Sequence, residues 1–342
     1  MAYTTIDDPT IYFNTVLFTG NGSTQSITGV GFQPDWVWIR NRGAVTNHEV
    51  ADSVRGANKL LKPNDTDAEQ SNSNKITSFD SDGFGVGNDA NVNQSSTAIV
   101  SWNWKAGGSA SSNSNGSITS SVSANTTAGF SIVTYTGTGS NATVGHGLGV
   151  APKMIIVKQR DEARDWPVYH KSLGATKWVY LDLTDAVTTA TPMWNDTEPT
   201  SSVFSIGTYT EVNKSSGTYV AYCFAEKAGY SKFGSYTGNG NADGTFVYTG
   251  FKPAWVIIKK TSGTGNWRLY DNKRLGYNGA NYNLQPNDSG AEETAEHVDL
   301  LSNGFKLKTT GGGENASGST YIYMAFAESP FVKSTGIPTT AR

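Results

Sequence analysis

Cysteine is almost absent from this chain: one residue, Cys223, in 342. No internal disulfide can form, so stability has to come from packing, from assembly or from both. Charged residues make up only 16% of the chain. Leu, Glu and Lys, the residues that build helices, are scarce, which argues against a mostly helical fold. No apolar run is long enough to cross a bilayer as a helix. The opening residues from Met1 to Pro9 carry neither a basic nor an apolar segment, so synthesis in a cytoplasm without a membrane span is expected. The formal net charge is −3, and no Lys/Arg run exceeds two residues. That leaves no field to draw in a nucleic-acid backbone, and nucleic acid is not an expected partner.

What is present is Gly 38, Tyr 16, Phe 14 and Trp 9 among abundant Ser, Thr and Asn. Aromatic and β-branched residues fit a pleated surface, while Gly and Asn supply the positive φ of tight hairpins. The composition predicts twisted strands joined by many polar turns.

Four landmarks recur three times in one order. The first is a hairpin tip: Phe18 to Gly22, Tyr135 to Gly139 and Tyr236 to Gly240. The second is an apolar strand led by a proline, Pro34, Pro152 or Pro253, and reads as covered on both faces. The third is a turn with alternating residues behind it, centred on Phe84, Phe204 and Phe305. The fourth is a closing strand, in which Val100, Trp102 and Trp104 share one side, as do Val220, Tyr222 and Phe224, and Ile322, Met324 and Phe326. Each landmark returns after roughly 120 and then roughly 100 residues.

The expected fold is therefore all-β, three tandem antiparallel β-sandwich modules of about 100 residues each. Residues 1–107 form the first module with an N-terminal arm, and 108–128 a Gly/Ser/Asn-rich linker read as a flexible tether. Residues 129–229 form the second module, 230–331 the third and 332–342 a C-terminal tail. Neither end has a core pattern, and both are expected to be pinned by neighbouring chains.

Little in the chain points to catalysis. The four histidines, His48, His146, His170 and His297, fall at non-equivalent places with no metal-binding spacing. No nucleophile motif occurs, and Glu226 and Glu328, the repeated carboxylates, belong to different modules. Cys223 reads as a packed thiol. Asp80 to Gly83 and Asn64 to Asp67 look like calcium loops, but a Gly after Asp or Asn is what a hairpin turn needs without any ion. No catalytic residue, metal or cofactor is expected.

Carbohydrate binding rests on rings outside the repeated strands. Trp166, Tyr169, Trp178 and Trp194 in the second module, and Trp267, Tyr270, Tyr277 and Tyr282 in the third, lie in loop-like surroundings where a sugar or a partner could stack on them. Packing of the same rings beneath long loops is the other reading.

The Thr19 to Gly22 tip, the strand Gly31 to Arg42, the segment Asp52-Ser53-Val54-Arg55-Gly56 and the turn Phe79 to Phe84 resemble repeat-bearing virion proteins of marine bacteriophages, including those infecting cyanobacteria and Pelagibacter-like hosts. Met1 to Asp7 and Ser334 to Pro338 share the likeness, which spans nearly the whole chain and is strongest in the first copy. Val54-Arg55-Gly56 has no clear counterpart at Ser172-Leu173-Gly174. The resemblance implies a tail-associated or head-surface protein of lectin-like β-sandwich type, with no catalytic residues to carry over. The expected function is that of a non-enzymatic virion structural protein, a tail appendage or fibre component in a symmetric homo-oligomeric assembly. Its partners would be other virion proteins and host-surface carbohydrate. A head decoration protein and a glycan-binding adhesin are the alternatives.

Overall fold

The apolar runs behind Pro34 and Pro152 are strands buried on both faces, Trp36–Asn41 and Met154–Gln159. The third, Phe251–Lys260, begins before its proline, and register shifts on either side of Pro253 absorb the missing donor as a bulge. The computed structural model describes residues 3–274, 278, 281–295 and 297–339. It is all-β, with 43% strand and 3% helix. Among the described residues helix is confined to the single turns Pro9–Ile11, Ala90–Asn93 and Thr210–Asn213.

The same order of four antiparallel strands occurs in each sequence repeat. In the first it is Phe13–Thr19, Ala98–Trp104, Trp36–Asn41 and Glu49–Asp52. In the third it is Ser231–Thr237, Thr320–Pro330, Phe251–Lys260 and Arg268–Asp271. In the second, Phe130–Thr136, Thr218–Phe224, Met154–Gln159 and Pro167–His170 form the middle of an eight-stranded sheet. A smaller antiparallel sheet backs each of these, built around Gly83–Val86, Val203–Ile206 and Gly304–Leu307, which gives a sandwich-like cross-section.

The closing strands alternate as their sequences predict, but their aromatic side faces a common core. Trp102 and Trp104, Tyr222 and Phe224, and Met324 and Phe326 belong to one buried cluster drawn from all three repeats. The opposite side of each strand faces a private core beneath the smaller sheet, through Ile99, Ala221 or Ala325. Ring contacts cross every boundary between repeats: Trp36 to Tyr222 at 4.5 Å, Phe224 to Phe326 at 6.1 Å and Trp104 to Trp255 at 5.5 Å between centroids. The indole N–H groups of Trp36, Trp104 and Trp255 meet no acceptor, so apolar and ring–ring packing holds this centre.

Two expectations are corrected here. Residues 108–128 are not a free tether: Ser111–Asn113 and Ser120–Asn125 are strands that extend the second repeat's sheet. The Ser-rich composition hides an alternation in which Val122 is buried in that repeat's private core and Ala124 packs against it. The described residues near the ends, in turn, are bonded to their own chain. Tyr3 Oη donates to Gly250 O at 2.6 Å, and Asp7 accepts from the backbone N–H of Ser334 at 2.6 Å.

Candidate functional site

Six of the eight candidate aromatics are buried: Trp166, Tyr169, Trp178, Trp194, Trp267 and Tyr270. No ring face among these six is offered to solvent: Tyr169, Trp178 and Tyr270 lie on the strands Pro167–His170, Lys177–Tyr180 and Arg268–Asp271, Trp166 and Trp267 directly precede two of them, and Trp194 packs from a turn. Tyr169 and Trp194 meet edge to face at 6.1 Å, and Trp178 meets Tyr209 at 5.7 Å, on the private-core side of the second repeat. Tyr270 donates to Glu314 Oε1 at 2.7 Å. Tyr282 is half-buried with the Arg42 guanidinium 5.3 Å from its ring centre. Tyr277 lies outside the described residues.

Trp166 and Trp267 have a different task, which sequence reasoning missed. Trp166 Nε1 donates to Asp65 O of the first repeat at 3.1 Å, and Trp267 Nε1 to Tyr180 O of the second at 2.8 Å. His48 occupies the matching place in the first repeat and reaches Gln285 O of the third at 3.2 Å. Trp38 Nε1 donates to His48 Nδ1, so the proton sits on Nε2 and the ring is neutral. Burial pulls its pKa well below the ordinary value.

A buried cation repeats the same circuit. Arg40, Lys158 and Lys259 stand at one register position of the Pro-led strands, and all are fully buried. Lys158 Nζ donates to Thr66 O of the first repeat at 2.8 Å and to Arg164 O at 2.6 Å. Lys259 Nζ donates to Thr184 O of the second repeat at 3.0 Å and to Gly265 O at 2.7 Å. Arg40 closes the ring on the third repeat, donating to Ser289 O at 2.6 Å. Burial lowers both lysines to about 8 and Arg40 to about 10.

A second circuit runs in the opposite direction. Asp52, at the end of its strand, holds Arg55 and accepts from Tyr222 Oη of the second repeat at 2.8 Å. Arg55 continues to Glu69, which pairs with Arg160 of the second repeat at 2.9 Å. The third repeat copies this at its junction with the first. Asp271 holds Arg274 and accepts from Trp102 Nε1 at 2.9 Å, and Glu292 bridges Arg274 to Arg42. Each seam also carries one equivalent backbone bond: Glu69 N to Arg160 O, Val187 N to Thr261 O and Glu292 N to Arg42 O.

The seam between the second and third repeats lacks those ion pairs. His170, Leu173, Val187 and Thr261 replace Asp52, Arg55, Glu69 and Arg160. His170 Nε2 donates to Tyr323 O at 3.2 Å while Nδ1 accepts from Ser172 N, again a neutral tautomer. Burial lowers its pKa to about 4. Leu173, Val187 and Thr261, shorter than the Arg and Glu side chains they replace, leave a surface groove of ≈ 390 Å³ that Ser172, Lys177 and Ser262 also line. Hydroxyls that both donate and accept, with one ammonium, suit a neutral polyhydroxylated ligand.

The remaining reactive groups singled out in the sequence make contacts within the chain. His146 is buried, bonded to Thr200 O and Leu148 N. His297 faces Glu314 at 3.2 Å. Cys223 is buried, and burial pushes its thiol far up. Asp82 accepts from Gly29 N and Gly31 N and so ties a turn, and Asn64 accepts from His48 N. No cluster of three potential metal ligands occurs among the described residues. Glu226 pairs with Lys232 and Glu328 with Lys252.

No curated protein matches the chain. A family signature does, over residues 8–330, nearly the full length. That span takes in nearly all of the shared core and both rings of contacts between repeats, and the chain belongs to the family described as Domain of unknown function (DUF7483).

Proposed function

We propose that this chain is a structural protein of a bacteriophage particle, made in the host cytoplasm and carried in the virion as a tail-associated appendage or fibre component in a symmetric assembly. The observation that carries this reading is the commitment of its reactive groups to holding repeats together. His48, His170, Arg40, Lys158, Lys259, Asp52 and Asp271 are all buried and bonded within the scaffold. A body spent on internal locking acts through its outer surface, by contact with other virion proteins rather than by turnover. The likeness of the first repeat to marine phage virion proteins supports the location.

Cryo-EM of the intact particle tests it. Density for this chain on the tail supports the appendage reading, and density over the head shell replaces it with capsid decoration. Absence from the particle overturns the virion assignment.

A second reading, a glycan-recognising adhesin, is favoured by the hydroxyl-lined groove of the second–third seam. It predicts that purified protein binds host cells, that soluble glycans compete, and that Ser262→Trp, which fills the groove, removes binding without lowering Tm. No cell binding at micromolar protein would count against it.

A further inference from the structure

The three repeats close the side of their sandwiches differently. In the second repeat, Ser120–Asn125 pairs antiparallel with the edge strand Phe130–Thr136, with Val122 opposite Val133 and Ser121 opposite Thr134. The residues before it reach the other sheet, where Ile118 bridges Val144 and Ser120 Oγ donates to Gly145 O at 2.9 Å. Val133 and Tyr135 are sealed as a result, at 0% and 5% exposure.

In the third repeat the turn that joins it to the second blocks the equivalent edge. Ser231 N donates to Lys227 O at 2.9 Å, and Glu226 accepts from Lys232 Nζ and, at 3.4 Å, from Phe233 N. A charge placed on an edge in this way prevents pairing.

The first repeat has neither device among the described residues. Its edge strand Phe13–Thr19 pairs only with Ala98–Trp104. Tyr12 O accepts from Lys105 N, and Gly20 N donates to Thr97 O, so the alternation of the ladder turns the backbone groups of Thr15 and Leu17 outward. Val16 and Phe18, the counterparts of Val133 and Tyr135, are only half-buried, and Leu17 is 39% exposed. Residues 3–12, which precede this strand, run across the third repeat instead.

We propose that the edge Phe13–Thr19 is a docking site for an added antiparallel strand of a separate polypeptide. The internal precedent sets the chemistry: an extended segment with a small apolar residue facing Val16 and hydroxyl residues on either side, the pattern of Ser121-Val122-Ser123. Main-chain bonds to Leu17 anchor the added strand, Thr15 being buried at 6% beside Asn272 and Ala327 of the third repeat, and the apolar residue seals Val16 and Phe18 as Val122 seals Val133. This goes beyond the particle assignment and stands without it.

A labelled peptide spanning residues 118–126, titrated into the full chain and followed by fluorescence polarisation, tests the proposal. Saturable binding is expected, with the Leu17 amide gaining protection from hydrogen exchange when peptide is added. Leu17→Pro removes an outward donor that the intact ladder does not use, and should weaken binding about tenfold, the effect of losing a hydrogen bond within a ladder. Ser235→Pro, on the third repeat's edge, should leave binding unchanged. No saturable binding at millimolar peptide, or binding without protection at Leu17, overturns the site, and the exchange readout needs no variant to fold. Self-association of the chain alone that Leu17→Pro abolishes would overturn the separate partner in favour of a second copy.

Discussion

Tyr222 of the second repeat donates its hydroxyl hydrogen to Asp52 Oδ2 of the first at 2.8 Å, and Arg55 donates to the same hydroxyl at 3.2 Å. The carboxylate, guanidinium and phenol are fully buried or nearly so, and each satisfies the others.

Removing one member should therefore cost unequal amounts. Tyr222→Phe leaves the Asp52–Arg55 pair intact and should cost ~1–3 kcal/mol, the value of a buried hydrogen bond to a charge. Asp52→Ala strands the Arg55 charge and should cost ~3–5 kcal/mol. Urea unfolding of both variants measures the difference; equal losses would mean that the seam does not depend on charge satisfaction.

Acid should weaken the second–third seam. His170 has its pKa lowered to about 4 by burial, whereas its unfolded value is near the ordinary 6.5. Between those values the unfolded chain binds more protons than the folded one, so stability is full above about pH 6.5 and falls as pH drops toward 4. Unfolding free energies at pH 7 and pH 5 should differ by less in His170→Gln than in the wild type, by on the order of 1–2 kcal/mol.

Alkali should act oppositely on the buried lysines. Burial holds Lys259 at about 8, below its ordinary 10.5. The unfolded chain again binds more protons between these values, so the penalty of burying the charge is full below about pH 8 and is relieved as pH rises above it. Comparing wild type with Lys259→Met at pH 7.5 and pH 9.5 isolates this group from the tyrosines. The wild type should gain on the variant with rising pH, and a constant difference would contradict the assignment.

Cys223 should be silent in the folded chain. Its sulfur is buried and its thiol held protonated by that burial, so reaction with a disulfide reagent should be far slower than for a free thiol. The labelling rate should follow global unfolding as urea is added. Fast labelling in native buffer would show that the second repeat opens locally.

Much of this architecture is written in local pattern. The Pro-led runs, the tips and the closing strands all follow from strand alternation and turn chemistry, and the side shared by Trp102 and Trp104 is the side that packs. What that side packs against is not local. Period-2 alternation cannot distinguish a private core from one shared by three sheets, because both bury the same residues. The hydroxyl-rich composition of residues 108–128 signals a tether, although the spacing of Ile118, Val122 and Ala124 already marks an alternating strand. Of the two readings of the candidate rings, burial is the one that the six described as buried follow, and a Trp outside the repeated landmarks looks like a loop residue even where it lies on or beside a strand. Trp166 and Trp267 in fact match His48, and only the shared bond to a neighbouring repeat's carbonyl makes that equivalence visible. The seam cations were within reach of the sequence, since Arg40, Lys158 and Lys259 align four residues after the start of each core strand run at Trp36, Met154 and Trp255. A cation in a strand predicted to be covered on both faces is a signal of a buried partner.

Three sequence repeats form one body, locked by two opposed rings of contacts around a common aromatic core. Differential scanning calorimetry of the whole chain tests it most directly. A single transition with equal calorimetric and van't Hoff enthalpies, shifted as a whole by Trp104→Ala, is the predicted result. Separable transitions, with Trp104→Ala moving only one of them, would contradict it and return the repeats to independent modules.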